Sequence, residues 1–185
     1  DGDTIPDVIE AGDSDVDTAP VDSDLDQIPD YLDDDSDGDL ITDRHENESD
    51  VLGILIDTDE DGRPDYLDID SDGDGIRDDI EAGDVDLETT PIDSDGDGTP
   101  DFQDVDSDGD FIADSEEGLM SNGLSLIDSD GDLVWDYLDL DSDGDNISDR
   151  HEAGDADLTT VAVDTDSDGT PDYLDLDSDD DFISD

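Results

Sequence analysis

Apolar residues in this chain keep phase with one another, but with neither a helical nor a strand period. An aromatic recurs at Tyr31, Tyr66, Phe102, Tyr137 and Tyr173, in steps of 35 and 36 residues. An aliphatic residue recurs at Val21, Ile56, Ile92, Ile127 and Val163, and isoleucine at Ile5, Ile41, Ile76, Ile112, Ile147 and Ile183. Stretches between them, such as AGDVDLETTPI, carry no 3.6-residue period. Pro29, Pro64, Pro100 and Pro171 are expected to break helix. The pattern predicts a mostly irregular chain with little regular secondary structure and one small hydrophobic cluster per repeat. VLGILI (Val51–Ile56) is a candidate for a short strand, and LVW at Leu133–Trp135, more apolar than its counterparts, is a candidate lateral contact beside the packed-cluster reading.

The polar residues set the phase. The motif D-[ST]-D-x-D opens at Asp22, Asp57, Asp93, Asp128 and Asp164, and again 13 residues after each. Glu-Ala-Gly recurs at Glu10, Glu81 and Glu152, 71 residues apart. The unit is therefore about 35.5 residues long, and two make a 71-residue super-repeat. Residues 22–56, 57–92, 93–127 and 128–163 are whole repeats; 1–21 and 164–185 are partial ones.

Numbered from its opening Asp, the first loop of each repeat has acids at positions 1, 3, 5, 9 and 12. These are Asp22, Asp24, Asp26, Asp30 and Asp33; then Asp57, Asp59, Asp61, Asp65 and Asp68; then Asp93, Asp95, Asp97, Asp101 and Asp104. The last two sets are Asp128, Asp130, Asp132, Asp136 and Asp139, and Asp164, Asp166, Asp168, Asp172 and Asp175. The second loop keeps the spacing but ends in Glu. Its sets are Asp35, Asp37, Asp39, Asp43 and Glu46, and Asp70, Asp72, Asp74, Asp78 and Glu81. They continue as Asp106, Asp108, Asp110, Asp114 and Glu117, and Asp141, Asp143, Asp145, Asp149 and Glu152. Two cut loops hold Asp1, Asp3, Asp7 and Glu10 at one end and Asp177, Asp179, Asp181 and Asp185 at the other. Ends inside loops fit a segment of a longer repetitive polypeptide.

Composition alone points elsewhere. The chain has 185 residues, 68 acids against 4 Lys or Arg, a formal charge of -64 and 30% hydrophobic residues, which together read as disorder. The unbroken register opposes that reading. Cysteine is absent, so no disulfide replaces a core, and no apolar run is long enough to span a membrane. No signal peptide is visible, which says little for a chain that starts inside a repeat. The charge excludes nucleic acid and anionic membrane surfaces as partners and favours cations.

Acids at 1, 3, 5, 9 and 12 follow the ligand order of a 12-residue calcium loop, with a backbone carbonyl at 7. Asp suits the tight turn at 1, 3 and 5, and the longer Glu suits position 12. Calcium fits better than magnesium, which demands stricter geometry, or than zinc and copper, which want His or Cys. His45 and His151 are expected to be solvated polar residues. Nine loops are complete, so nine ions are expected, and up to eleven if neighbours complete the cut loops. Gly occupies position 6 at Gly62, Gly75, Gly98 and Gly169. Elsewhere Gln27, Leu40, Phe111, Leu133, Asn146 or Phe182 stands there, and such loops are expected to turn differently or bind more weakly.

Tandem loops of this kind without flanking helices resemble thrombospondin type 3 repeats. DTDSDGTPDYLDLDSD (Asp164–Asp179) is similar to the cysteine-free form found in microbial surface proteins. The resemblance implies an elongated, calcium-stabilised tandem-repeat array outside the cell or on its surface. It implies that the acids named above are the ligands. The cysteines of the family's metazoan members are missing here.

The leading expectation is a structural array, an extracellular stalk or fibre shaft, with calcium and like chains as partners. The alternatives are an adhesion module presenting a calcium-ordered surface, and a disordered acidic chain that buffers calcium or nucleates mineral. No enzyme is expected, because general acid catalysis needs one carboxyl set apart and these are near copies. Position 2 is Ser or Thr in all ten loops that contain it. The row reads as local turn chemistry. A second reading makes it an outward row carrying O-linked sugar, joined by N-x-S sequons at Asn47 and Asn146.

Overall fold

The computed structural model describes residues 2, 4–12, 17–47, 55–83, 86–87, 89–118, 125–154 and 156–184. Asp1, Asp3 and Asp185, and most of the VLGILI stretch, lie outside the described residues. Among the described residues there is no strand, and helix is limited to single turns. The fold is mostly irregular, as the patterning predicts. Two compact units form: Asp1–Gly73 with Arg77–Ile92 and Pro100–Gln103, and Asp74–Ile76 with Asp93–Thr99 and Asp104–Asp185.

The helical turns sit inside the loops and repeat with them. Each second loop closes on a four-residue α-turn at positions 9–12: Asp7–Glu10, Asp43–Glu46, Asp78–Glu81, Asp114–Glu117 and Asp149–Glu152. Each first loop closes on a 3₁₀ turn at positions 9–11, such as Asp30–Leu32 and Asp65–Leu67. Proline was expected to break helix, and here it starts one. Pro29, Pro64 and Pro171 are the N-caps of such turns, with φ of -70°, -66° and -64°. Proline lacks only an N–H that a first turn leaves unbonded anyway.

The aspartates at 1, 3 and 5 build the loop before any ligand is considered. The N–H at position 5 donates to the Oδ1 at position 3, as in Asp26 to Asp24 (2.9 Å) and Asp110 to Asp108 (3.2 Å). The N–H at position 7 donates to the Oδ1 at position 5, as in Ile41 to Asp39 and Ile112 to Asp110, both 2.7 Å. The position 1 carboxylate collects N–H groups ahead of it: Asp35 accepts from Gly38, Asp39 and Leu40 at 3.0–3.2 Å. Only a short side chain reaches a backbone N–H two residues on, which gives the excess of Asp over Glu a structural cause.

These turns require left-handed backbone at positions 4 and 6. Leu40, Phe111, Leu133, Asn146 and Phe182 have φ between 71° and 85°, in line with Gly62, Gly75, Gly98 and Gly169 at 100–107°. The expectation of a different turn is thus corrected: loops without Gly at 6 adopt the same turn, held by the aspartate bonds on either side. Phe111 gains packing against the Ile112 cluster and the Arg150 guanidinium, whereas at Leu133 and Phe182 the strain falls on exposed side chains. Leu133 is 86% exposed. Since a left-handed non-Gly residue costs roughly 1–2 kcal/mol, Leu133→Gly is expected to stabilise its unit by about 1 kcal/mol. Thermal unfolding in calcium would show a higher midpoint; a lower one would mean that Leu133 contributes packing.

Position 4 is glycine in all four complete second loops: Gly38, Gly73, Gly109 and Gly144. A Cβ on Gly109 (φ 75°) would lie 2.7 Å from Asp95 Oδ2, and one on Gly144 2.8 Å from Asp130 Oδ2. The position 3 carboxylates Asp24, Asp59, Asp95 and Asp130 of the first loops are therefore pressed against the backbone of the second loops.

Apolar residues gather across repeats. Ile41, Ala82 and Phe102 form one buried cluster and Ile112, Ala153 and Tyr173 the other, the second displaced by 71 residues from the first. Each draws on three successive repeats, which corrects the expectation of one cluster within each. The recurrent Glu-Ala-Gly is explained here: Ala82 and Ala153 are core residues. A Cβ on Gly83 or Gly154 would collide with Ile92 or Val163. Val21, Ile92 and Val163 are only half buried, at 39–46% exposure.

Candidate metal centres

Each complete loop is closed by a clasp between its start and position 9. The N–H at position 9 donates to the carbonyl just before position 1. In the first compact unit Asp30 donates to Val21, Asp43 to Asp34, Asp65 to Ile56, Asp78 to Ile69 and Asp101 to Ile92, at 2.9–3.2 Å. In the second, Asp114 donates to Val105, Asp136 to Ile127, Asp149 to Leu140 and Asp172 to Val163, at 2.7–3.1 Å. The side chains reinforce this. Ser36 donates its N–H and its hydroxyl to the two oxygens of Asp43, both at 2.7 Å. Ser71 does the same to Asp78 at 2.8 and 2.7 Å, and Thr165 to Asp172 at 2.7 and 2.6 Å.

The position 2 hydroxyl of Ser23, Ser36, Thr58, Ser71, Ser129 and Thr165 therefore bonds a carboxylate seven residues on rather than the local backbone, whereas that of Ser178 donates to the Asp175 carbonyl at 3.3 Å. In the second loops it is also out of reach of solvent: Ser36, Ser71, Ser107 and Ser142 are each 1% exposed. The O-glycan reading fails at these residues, since a sugar needs a free hydroxyl at the surface. The Asn47 sequon fails likewise, with its side chain buried and its Oδ1 accepting the Ile56 N–H. His151 is exposed as expected, whereas His45 is half buried, with its Nδ1 out of water and without a hydrogen-bond partner.

The first-loop acid at position 12 joins the two loops. Asp33 Oδ1 accepts the Asp35 N–H (3.2 Å), Asp104 that of Asp106 (3.1 Å) and Asp139 that of Asp141 (3.0 Å). A short side chain is needed there, and Asp rather than Glu stands at position 12 of every first loop.

The remaining oxygens converge. Asp22, Asp24 and Asp26 each bring a carboxylate oxygen within 4.8 Å of the others, as do Asp57, Asp59 and Asp61, and Asp35, Asp37 and Asp39. A further group, Asp39, Glu46 and Asp78, is buried throughout. Glu46 and Glu117 are each 1% exposed, and neither carboxylate oxygen of either has a hydrogen-bond partner. Asp39 Oδ2, Asp108 Oδ2 and Asp110 Oδ2 are in the same condition. An ionised carboxylate without partners is among the costliest groups to bury. Such groups, several to a loop and all acceptors, fit a hard cation, and the donor set is oxygen alone.

The electrostatics agree. Burial, then Asp39 and Asp35, push the Asp37 carboxyl up to about 9. Burial, with Asp110 and Asp114 facing it, pushes Asp108 to about 9. Burial followed by Asp110 and Asp108 pushes Glu117 to about 12, and Glu46 rises for the same kind of reason. At neutral pH these carboxyls ionise together only beside a positive charge.

Sequence reasoning found the acids but not their division of labour. The signal for the clasp was present, since Ser or Thr at 2 always accompanies Asp at 9. Among the described residues no helix is long and apolar enough to cross a membrane. No known protein-family model matches the chain, and no curated protein matches it.

Proposed function

We propose that the chain is a calcium-binding structural repeat array, the shaft of an extracellular stalk or fibre. The observation that carries this reading is the buried, unpartnered Glu46 and Glu117 carboxylates, each turned among aspartates of its own loop. Calcium accepts six to eight oxygens in a flexible shell, which suits loops that differ in detail. The repeated clasp favours an ordered array over an acidic chain that only buffers calcium. The resemblance to thrombospondin type 3 repeats supports the same reading, including a position outside the cell. An adhesive role has one observation in its favour: Leu133 and Trp135 present apolar surface, 86% and 42% exposed.

Equilibrium dialysis against calcium tests the proposal. Saturation at nine ions or more is expected, in the roughly 10⁻⁴–10⁻³ M range of extracellular modules. Nine divalent ions add 18 charges to -64 and leave -46, so the array stays strongly acidic. Saturation at two or three ions would contradict it.

A further inference from the structure

We propose that one cation is shared between successive repeats: Asp78, which clasps its own loop, is also a ligand of the site formed by Asp39 and Glu46 in the repeat before. This rests on the calcium reading and adds a coupling that the loop spacing does not contain. By spacing, Asp78 is position 9 of the loop Asp70–Glu81 and would serve that loop's ion alone. Its carboxylate instead stands between two loops.

On one side it accepts the Ser71 N–H and hydroxyl, at 2.8 and 2.7 Å, one on each oxygen. Each oxygen keeps a second lone pair. On the other side, one oxygen each from Asp78, Asp39 and Glu46 lie within 4.8 Å of one another. Oxygens bound to one calcium at about 2.3–2.6 Å are at most about 5 Å apart, so the three are spaced as ligands of a single ion are. Asp78, Asp39 and Glu46 are 0%, 1% and 1% exposed, which leaves little room for water to screen three like charges. Glu46 has no hydrogen-bond partner on either oxygen, and Asp39 has none on Oδ2. These oxygens need a positive partner, and Asp78 comes to the same place.

The second compact unit carries the equivalent residues, Asp110, Glu117 and Asp149, 71 positions on. Asp149, position 9 of its own second loop, is fully buried and clasped by the Ser142 N–H. It bears on Glu117 of the preceding repeat together with Asp110 and Asp108. First loops differ. Asp65, position 9 of a first loop, has its Oδ2 taken by Gln103 Nε2 at 2.6 Å, a neutral donor in place of a cation. A shared ion of this kind is a tie between neighbouring repeats.

Ion counting on the full chain decides the matter. Glu46→Gln and Asp78→Asn are each expected to lose one calcium, and the double variant also to lose one. Asn at 78 keeps an acceptor for the Ser71 N–H, so its own loop stays closed. A double variant that loses two ions, or an Asp78→Asn chain that loses none, overturns the sharing. Should a variant fail to fold, carboxyl ¹³C shifts of the unsubstituted chain decide instead. Glu46 and Asp78 must then move in the same step of a calcium titration, and separate steps overturn the proposal. A chain that takes up no calcium sinks the array reading as well, whereas full uptake with additive losses sinks the sharing alone.

Discussion

Withdrawal of calcium by excess chelator at pH 8 is expected to abolish the fold of both compact units. Buried apolar side chains number eleven among the described residues, and three of them are alanine. That core cannot offset a backbone entropy of about 1–2 kcal/mol per residue. The carboxylates work against folding once the cation is gone. Asp37, Asp78, Asp108 and Glu117 carry folded-state values of about 9, 8, 9 and 12, above the ordinary range, because burial and facing aspartates penalise the charged form. A folded value raised above the unfolded one adds stability below the unfolded value, near 4. That stability is lost as pH climbs through the folded value. Metal-free chain should therefore be least ordered at pH 8 and above, and should regain order as pH falls towards 4. Amide shift dispersion and near-ultraviolet circular dichroism follow both arms. Identical spectra with and without chelator at pH 8 would mean that something other than a cation holds the chain.

The second large effect is expected from Asp43→Ala, which opens one clasp. Asp43 is fully buried and accepts both the Ser36 N–H and the Ser36 hydroxyl, and Ser36 is itself 1% exposed. Alanine leaves two buried donors without their acceptor, each costing about 1–3 kcal/mol. At 1.4 kcal/mol per factor of ten, protection of the Ser36 amide from hydrogen exchange should fall at least ~30-fold. Asp43→Asn keeps an acceptor and should lose less. Amides of the loop Asp164–Asp175, several repeats away, should be unaffected, as in a chain of nearest-neighbour units. Unchanged protection at Ser36 would show that the clasp does not hold the loop.

The repeat and its acids were legible because a period identifies equivalent positions without any knowledge of the fold. The buried aromatics at position 10 were legible for the same reason: Tyr66, Phe102, Tyr137 and Tyr173 are all at most 4% exposed. A period does not say which positions meet. Ile41 packs with Ala82 and Phe102 because of the path the chain takes through three repeats, and nothing local encodes it. Asp78 faces Glu46 for the same reason. The left-handed turn at Leu40, Phe111 and Leu133 went against residue preference. The hydrogen bonds of positions 1 and 5 outweigh a preference worth only a kilocalorie or two. Proline at position 8 was misread because its effect depends on where a turn begins, and the 3₁₀ turn begins just after it.

An anomalous difference map from crystals of the chain grown in calcium tests the central claim most directly. The account predicts a peak in each of the nine complete loops, with Glu46 and Glu117 within about 2.3–2.6 Å of theirs. Glu46 and Glu117 found protonated and hydrogen-bonded to neighbouring carboxylates, with no peak beside them, would contradict it.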